Sequence, residues 1–181
     1  MMRALRPLTV LRRFWCEESG AVASLEFVLI LPLFMTFFLV GMEHGLMVTR
    51  QVLLERSLDL TVRELRLGRV PSPDHDLLKQ MICDRTPLID DCTTALMLEL
   101  RPVSTQIWDL PQPTATCVDR DAAIQPTTTL DLGLANDMML IRACAMFDPV
   151  FPFNVQNGYV PVTTNGDYAI VATSAFVNEP D

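Results

Sequence analysis

ESGAVASLEFVLILPLFMTFFLVGME, residues 18–43, decides the architecture of this chain. From Ala21 to Met42 run 22 residues whose single charge is Glu26. As a helix rising 1.5 Å per residue they extend about 33 Å, enough to cross a bilayer core of roughly 30 Å. The 16 residues between Glu26 and Glu43 extend only about 24 Å, too short for the same crossing. The pattern therefore places Glu26 inside the membrane rather than at its edge. An ionised carboxylate at that depth is costly, roughly a few kcal/mol, and marks a functional contact with some partner.

Upstream of the span, Arg3, Arg6, Arg12 and Arg13 stand against Glu17 and Glu18, a basic leader carrying Phe14 and Trp15 next to the interface. Basic residues just before a first span predict a cytoplasmic N-terminus and an exported C-terminal domain. The apolar run exceeds that of a secretory signal and no A-x-A-like cleavage site follows it, so it reads as an anchor. The expected organisation is a leader over 1–20, a transmembrane helix over 21–43 and an exported domain over 44–181. That last part is large enough for one domain with its own core. Because the formal charge is −8 and the leader is net positive, the exported part is strongly acidic and repels phosphate backbones, which argues against nucleic-acid binding.

Past the span the helical pattern does not stop. Leu46, Leu53, Leu60 and Leu67 recur seven apart, with Leu54, Leu58, Val62 and Leu65 in the same broad stripe. Gly68, followed by Pro71 and Pro73, is the expected stop. One helix from about residue 22 to 67 follows, its first half apolar all round and its second half amphipathic. Ser72 with Pro73, Asp74 and Asp76 reads as the start of a short helix through Cys83. TALMLELRPV at 94–103, DMMLIRACAMF at 137–147 and DYAIVATSAFV at 167–177 have the period of half-buried strands. Residues 104–136, rich in Pro, Thr and Asp, read as a long irregular loop. The expected fold is α+β: a small antiparallel sheet with one apolar face, packed on the long amphipathic helix.

Cys16 precedes the span, and Cys83, Cys92, Cys117 and Cys144 follow it. An even number outside the membrane fits an oxidising compartment and two disulfides. Of the three pairings that four cysteines allow, Cys83–Cys92 with Cys117–Cys144 closes the shorter loops. Zinc fits poorly, since there is no C-x-x-C and the only histidines are His44 and His75. Asp74 with Asp76 and Asp90 with Asp91 read as helix-start charges and a solvated turn rather than calcium ligands. Met138, Met139 and Met146 read as core filler, and Arg142, amid an apolar strand, as half of a structural ion pair. No nucleophile elbow, phosphate loop, dinucleotide fingerprint or zinc-protease motif occurs. The expectation is a protein that is not an enzyme and needs no cofactor.

EESGAVASLEFVLILPLF resembles the start of the TadE-like proteins of tight-adherence (Tad) pilus systems. In these a short basic leader ends in Gly, small residues follow, Glu-Phe opens the membrane helix, and a Pro comes a turn or two later. Here those positions are Gly20, Glu26, Phe27 and Pro32. CDR at 83–85, LRPV at 100–103, MLIRACAMFDPV and the closing ATSAFVNEP extend the likeness over nearly the whole chain. The resemblance implies a pilin-like minor pilin or pseudopilin, held in the inner (cytoplasmic) membrane with its C-terminal domain in the periplasm. It also implies processing by a prepilin peptidase, membrane lipid as surroundings, and other pilins and inner-membrane pilus machinery as partners. The glutamate would pair with an N-terminal amine, its own or a neighbour's. The family places Glu fifth after the processing Gly, whereas Glu26 is sixth after Gly20, so the cut falls after Gly20, after Ala21, or does not occur. The competing expectations are a permanently anchored periplasmic binding or adhesive module, which relies on its loops instead of Glu26, and a membrane-anchored enzyme.

Overall fold

The computed structural model describes residues 19–120, 122–152, 158, 162–163 and 165–179, apart from the side chains of Ser19 and Ala21. The basic leader with Cys16, most of the Pro-rich connection after residue 152, and Pro180 lie outside the described residues. The chain divides into two compact units, Met1–Gly41 and Met42–Asp181. The elements are α1 (Ser19–Arg66), α2 (His75–Cys83), α3 (Cys92–Ala95), β1 (Leu96–Val103), β2 (Met138–Phe147) and β3 (Tyr168–Val177).

Helix α1 forms as the periodicity predicts and ends where its glycine allows. Gly68 has φ +62°, its N–H reaches Leu65 O at 3.0 Å, and Arg69 N–H reaches Glu64 O at 3.1 Å. These are the paired closing bonds of a helix that terminates in a left-handed residue, a conformation glycine adopts without a Cβ penalty. The buried stripe differs from the seven-residue leucine repeat. Leu54, Leu58 and Val62 are in the core with Leu65 beside it, whereas Leu60 and Leu67 are exposed. A strict spacing of seven drifts around a 3.6-residue helix, and because this stretch of α1 packs into a core built largely by the sheet, the i, i+4 row wins. Ser57 and Thr61 are buried in the same face and return their hydroxyls to Leu54 O and Ser57 O, so neither is left unpaired.

Helix α2 is capped by Asp74, not by Ser72. The Asp74 carboxylate accepts the Leu77 N–H at 2.7 Å, while Ser72 sits at φ +51° in the turn before it. A carboxylate both accepts the N–H and opposes the positive end of the helix dipole. Leu78 and Ile82 of α2 join the core. A disulfide links Cys83 to Cys92, tying α2 to α3. Thr94 and Ala95, expected in the strand, instead complete α3, and the strand begins at Leu96.

The sheet is antiparallel throughout, in the order β1-β2-β3. Glu99 lies opposite Arg142, which lies opposite Thr173. Leu96, Leu98, Leu100, Met139, Ile141, Ala143, Ala145, Phe147, Tyr168, Ile170, Ala172 and Phe176 face the helices as one core. The expectation of a single apolar face fails for the central strand: β2 is buried on both sides almost along its length. The cause is the long loop, which lies over the second face. A disulfide joins its Cys117 to Cys144 of β2, Arg142 donates to the Gln112 carbonyl at 2.6 Å, and Arg120 donates to the Met146 carbonyl at 3.1 Å. The loop is also less irregular than its composition suggests. Leu100 N–H reaches Thr129 O and Asp131 N–H reaches Leu100 O, so residues 129–131 run along the outer edge of β1.

Candidate functional site

In the first unit the functional candidates lie on α1 itself. This helix is long and apolar enough to cross a membrane. Gly20 and Ala21 fall in its first turn, slightly ahead of the expected start. Val22, Leu25, Phe27, Val28, Leu29, Ile30, Leu33 and Phe34 are all exposed, so the apolar surface continues around the whole circumference. A helix of that kind is stable only against lipid or other apolar helices. Glu26 is exposed in the midst of this surface. Pro32 cannot donate a backbone hydrogen bond, yet the helix runs on through it, as membrane helices tolerate. Thr36 returns its hydroxyl to the Pro32 carbonyl at 2.8 Å. Phe34 and Phe38 stack one turn apart, with ring centroids 6.4 Å from each other.

In the second unit the structure builds a site that the sequence reading missed. Glu43 is not a solvated boundary charge but is 0 % exposed. Its two carboxylate oxygens accept the consecutive backbone N–H groups of Val150 (3.2 Å) and Phe151 (2.9 Å). The only available signal was a carboxylate one helical turn ahead of an amphipathic stripe, which does not distinguish a buried acid from an interfacial one. Two turns further along α1, Arg50 donates to the Tyr168 hydroxyl and holds its guanidinium 4.7 Å from the centre of the Phe147 ring. Phe147 and Tyr168 stack at 5.7 Å. Burial pushes the Tyr168 phenol above its usual range, and the charge and hydrogen bond of Arg50 act against that rise. Glu43 and Arg50 thus fasten α1 to the chain leaving β2 and entering β3, at the end of the sheet where the chain enters this unit.

The opposite face of the sheet carries the ion pair expected at Arg142. Its guanidinium meets the Glu99 carboxylate across β1 and β2, with both side chains largely buried, and it also holds the Gln112 carbonyl. All three guanidinium nitrogens thereby donate within the fold, so removing either partner would leave a buried charge uncompensated. His75 Nε2 lies 2.7 Å from the Thr128 hydroxyl, where α2 meets the loop. Desolvation, with the nearby Lys79 charge second, lowers its pKa from the ordinary value. Among the described residues no three His, Cys, Asp or Glu side chains come together as a metal site. The processing and assembly candidates Gly20, Ala21, Glu26, Phe27 and Pro32 therefore share the first unit, and the four cysteines pair within the second. No protein-family model, curated protein or solved structure matches the chain.

Proposed function

We propose that the chain is a structural subunit of a Tad-type pilus machine: a minor pilin or pseudopilin anchored in the inner membrane by α1, with its disulfide-bonded domain in the periplasm. The observation that supports this reading most is the exposed Glu26 on an otherwise uncharged, largely apolar and exposed helix surface. In a permanent anchor that carboxylate would carry an uncompensated cost of roughly a few kcal/mol inside the bilayer. A processed subunit that pairs it with an ammonium, its own or a neighbour's, recovers the cost. The fastened domain fits the same reading, since Glu43, Arg50, Arg120 and the Arg142–Glu99 pair hold α1, the sheet and the loop together.

Helix geometry also favours one cut. Removal of residues through Ala21 leaves Val22 first and Glu26 four positions on, about 40° around the helix and one turn away, with its Cβ tilted back toward the new ammonium. A cut after Gly20 puts Glu26 five positions on, about 140° around, on a different face. The first cut lets the chain's own amine and Glu26 neutralise each other; the second leaves that task to a neighbour. The test is pilus or priming-complex assembly by Glu26→Gln, which should fall sharply while the amount and disulfide content of the protein stay normal. Assembly at the unaltered level would favour the permanently anchored module instead.

A further inference from the structure

Among the described residues, no strand pairs with the outer edge of β3. The ladder fixes which of its backbone groups point outward. On β1, Leu100 uses its N–H and C=O on residues 129–131, away from β2, so Glu99 and Arg101 are the residues that bond to β2. Alternation along β2 then turns Met139, Ile141, Ala143 and Ala145 toward β3, where they meet Phe176, Ser174, Ala172 and Ile170. The same phase appears at the strand's end, where Asn178 N–H reaches Asp137 O at 3.0 Å. Ala169, Val171, Thr173, Ala175 and Val177 are left with their N–H and C=O groups directed away from the sheet. Among the described residues only the Val171 carbonyl is engaged, by Gln51 Nε2 at 3.1 Å.

The side chains of that row are exposed as well. The row contains no charge, no proline and no glycine, and it lacks the lysines, bulges and prolines that normally guard an edge. An unguarded row of backbone donors and acceptors is a ready template for one kind of protein partner, another extended strand. The row is also complementary to itself. With a two-fold axis at Thr173, an antiparallel copy sets Val171 beside Ala175 and Ala169 beside Val177, large against small at each step. Thr173 then meets Thr173, a favourable cross-strand pair. All residues in this register are outward-bonding, so the ladder closes without a slip. An uncharged seam further suits two copies of a chain with a formal charge of −8.

We infer that β3 pairs edge to edge with β3 of a second copy, antiparallel about Thr173, to make one continuous six-stranded sheet. The inference does not depend on the pilus reading. The experiment is oxidative cross-linking of the full-length protein in detergent, in a Cys16→Ser background. Thr173→Cys should give a covalent dimer in high yield, because its Cα atoms meet at about 5.5 Å, within disulfide range. Ala169→Cys should not, since the two copies of that position lie eight residues apart, about 26 Å. Thr173→Lys, which leaves the β2–β3 ladder intact and sets two ammonium groups on the axis, should weaken dimerisation at least tenfold while both native disulfides still form. Absence of a cross-link at Thr173, equal yields at Thr173 and Ala169, or a dimer indifferent to Thr173→Lys would each overturn the proposal. Equal yields in particular would show that the copies associate through the apolar helix alone.

Discussion

The Glu43 carboxylate receives the Phe151 backbone N–H at 2.9 Å with no exposure to solvent, and Val150 N–H lies on its other oxygen. Replacing one of those oxygens by an amide NH2 sets a donor against a donor. Glu43→Gln should therefore lower the unfolding free energy of the detergent-solubilised chain by about 1–3 kcal/mol. Glu26→Gln should leave unfolding unchanged, because Glu26 is exposed. Chemical denaturation of the two variants side by side checks both halves, and equal effects would contradict the separate roles given to the two acids.

Arg142 and Glu99 form a largely buried pair, with side chains 10 % and 15 % exposed. Removing one partner strands the other charge and frees the Gln112 carbonyl, so Arg142→Met should cost about 3–5 kcal/mol. The double change Arg142→Met with Glu99→Leu should recover a large part of that loss, since an apolar pair of similar volume carries no desolvation penalty. A double-mutant cycle measured by denaturant unfolding decides it; additive losses would show that the two residues are not coupled.

The two disulfides close loops of different length, with sequence separations of 9 and 27. Chain entropy alone assigns them about 2.5 and 3.5 kcal/mol. The loss on removing Cys117–Cys144 by paired Cys→Ser changes should exceed the loss on removing Cys83–Cys92 by more than that difference of about 1 kcal/mol, because the same bridge holds the loop over Arg142 and Met146. Limited proteolysis should then cut within residues 104–128 of that variant well before it cuts the variant lacking Cys83–Cys92.

His75 has a lowered pKa in the fold, caused first by burial and then by Lys79. Its folded value lies below the unfolded 6.5, so the unfolded state binds more protons in the interval between them. Stability from this residue is present above pH 6.5 and is lost as the pH falls toward the folded value. His75→Gln should flatten the dependence of the melting temperature in that interval; an unchanged slope would place its origin elsewhere.

The long helix, its glycine stop, all three strands and both disulfide pairings were legible in local patterns, because each rests on a periodicity or a loop length that the chain carries within itself. The partner of Arg142 was legible only as a class, since the strand register that sets Glu99 opposite it is not local. Glu43 was not legible, because its burial depends on Val150 and Phe151, more than a hundred positions away. The leucine repeat misled for a related reason: Leu60 and Leu67 obey the spacing, but the surface that α1 packs on is a sheet. The anchoring of the 104–136 loop was legible from the Cys117–Cys144 pairing, but not the contacts of Arg142 and Arg120 that lay the loop along β2.

The mass of the mature N-terminus decides whether residues 18–43 combine a processing site with an assembly helix. In cells with an active prepilin peptidase, intact-protein mass spectrometry should find a chain about 2 kDa lighter than the full sequence, at roughly 0.11 kDa per residue, beginning at Val22 so that Glu26 lies one helical turn from the new amine. A chain beginning at Ala21 would retain the processing but move the pairing to a neighbour's amine. A chain still beginning at Met1 would contradict the account.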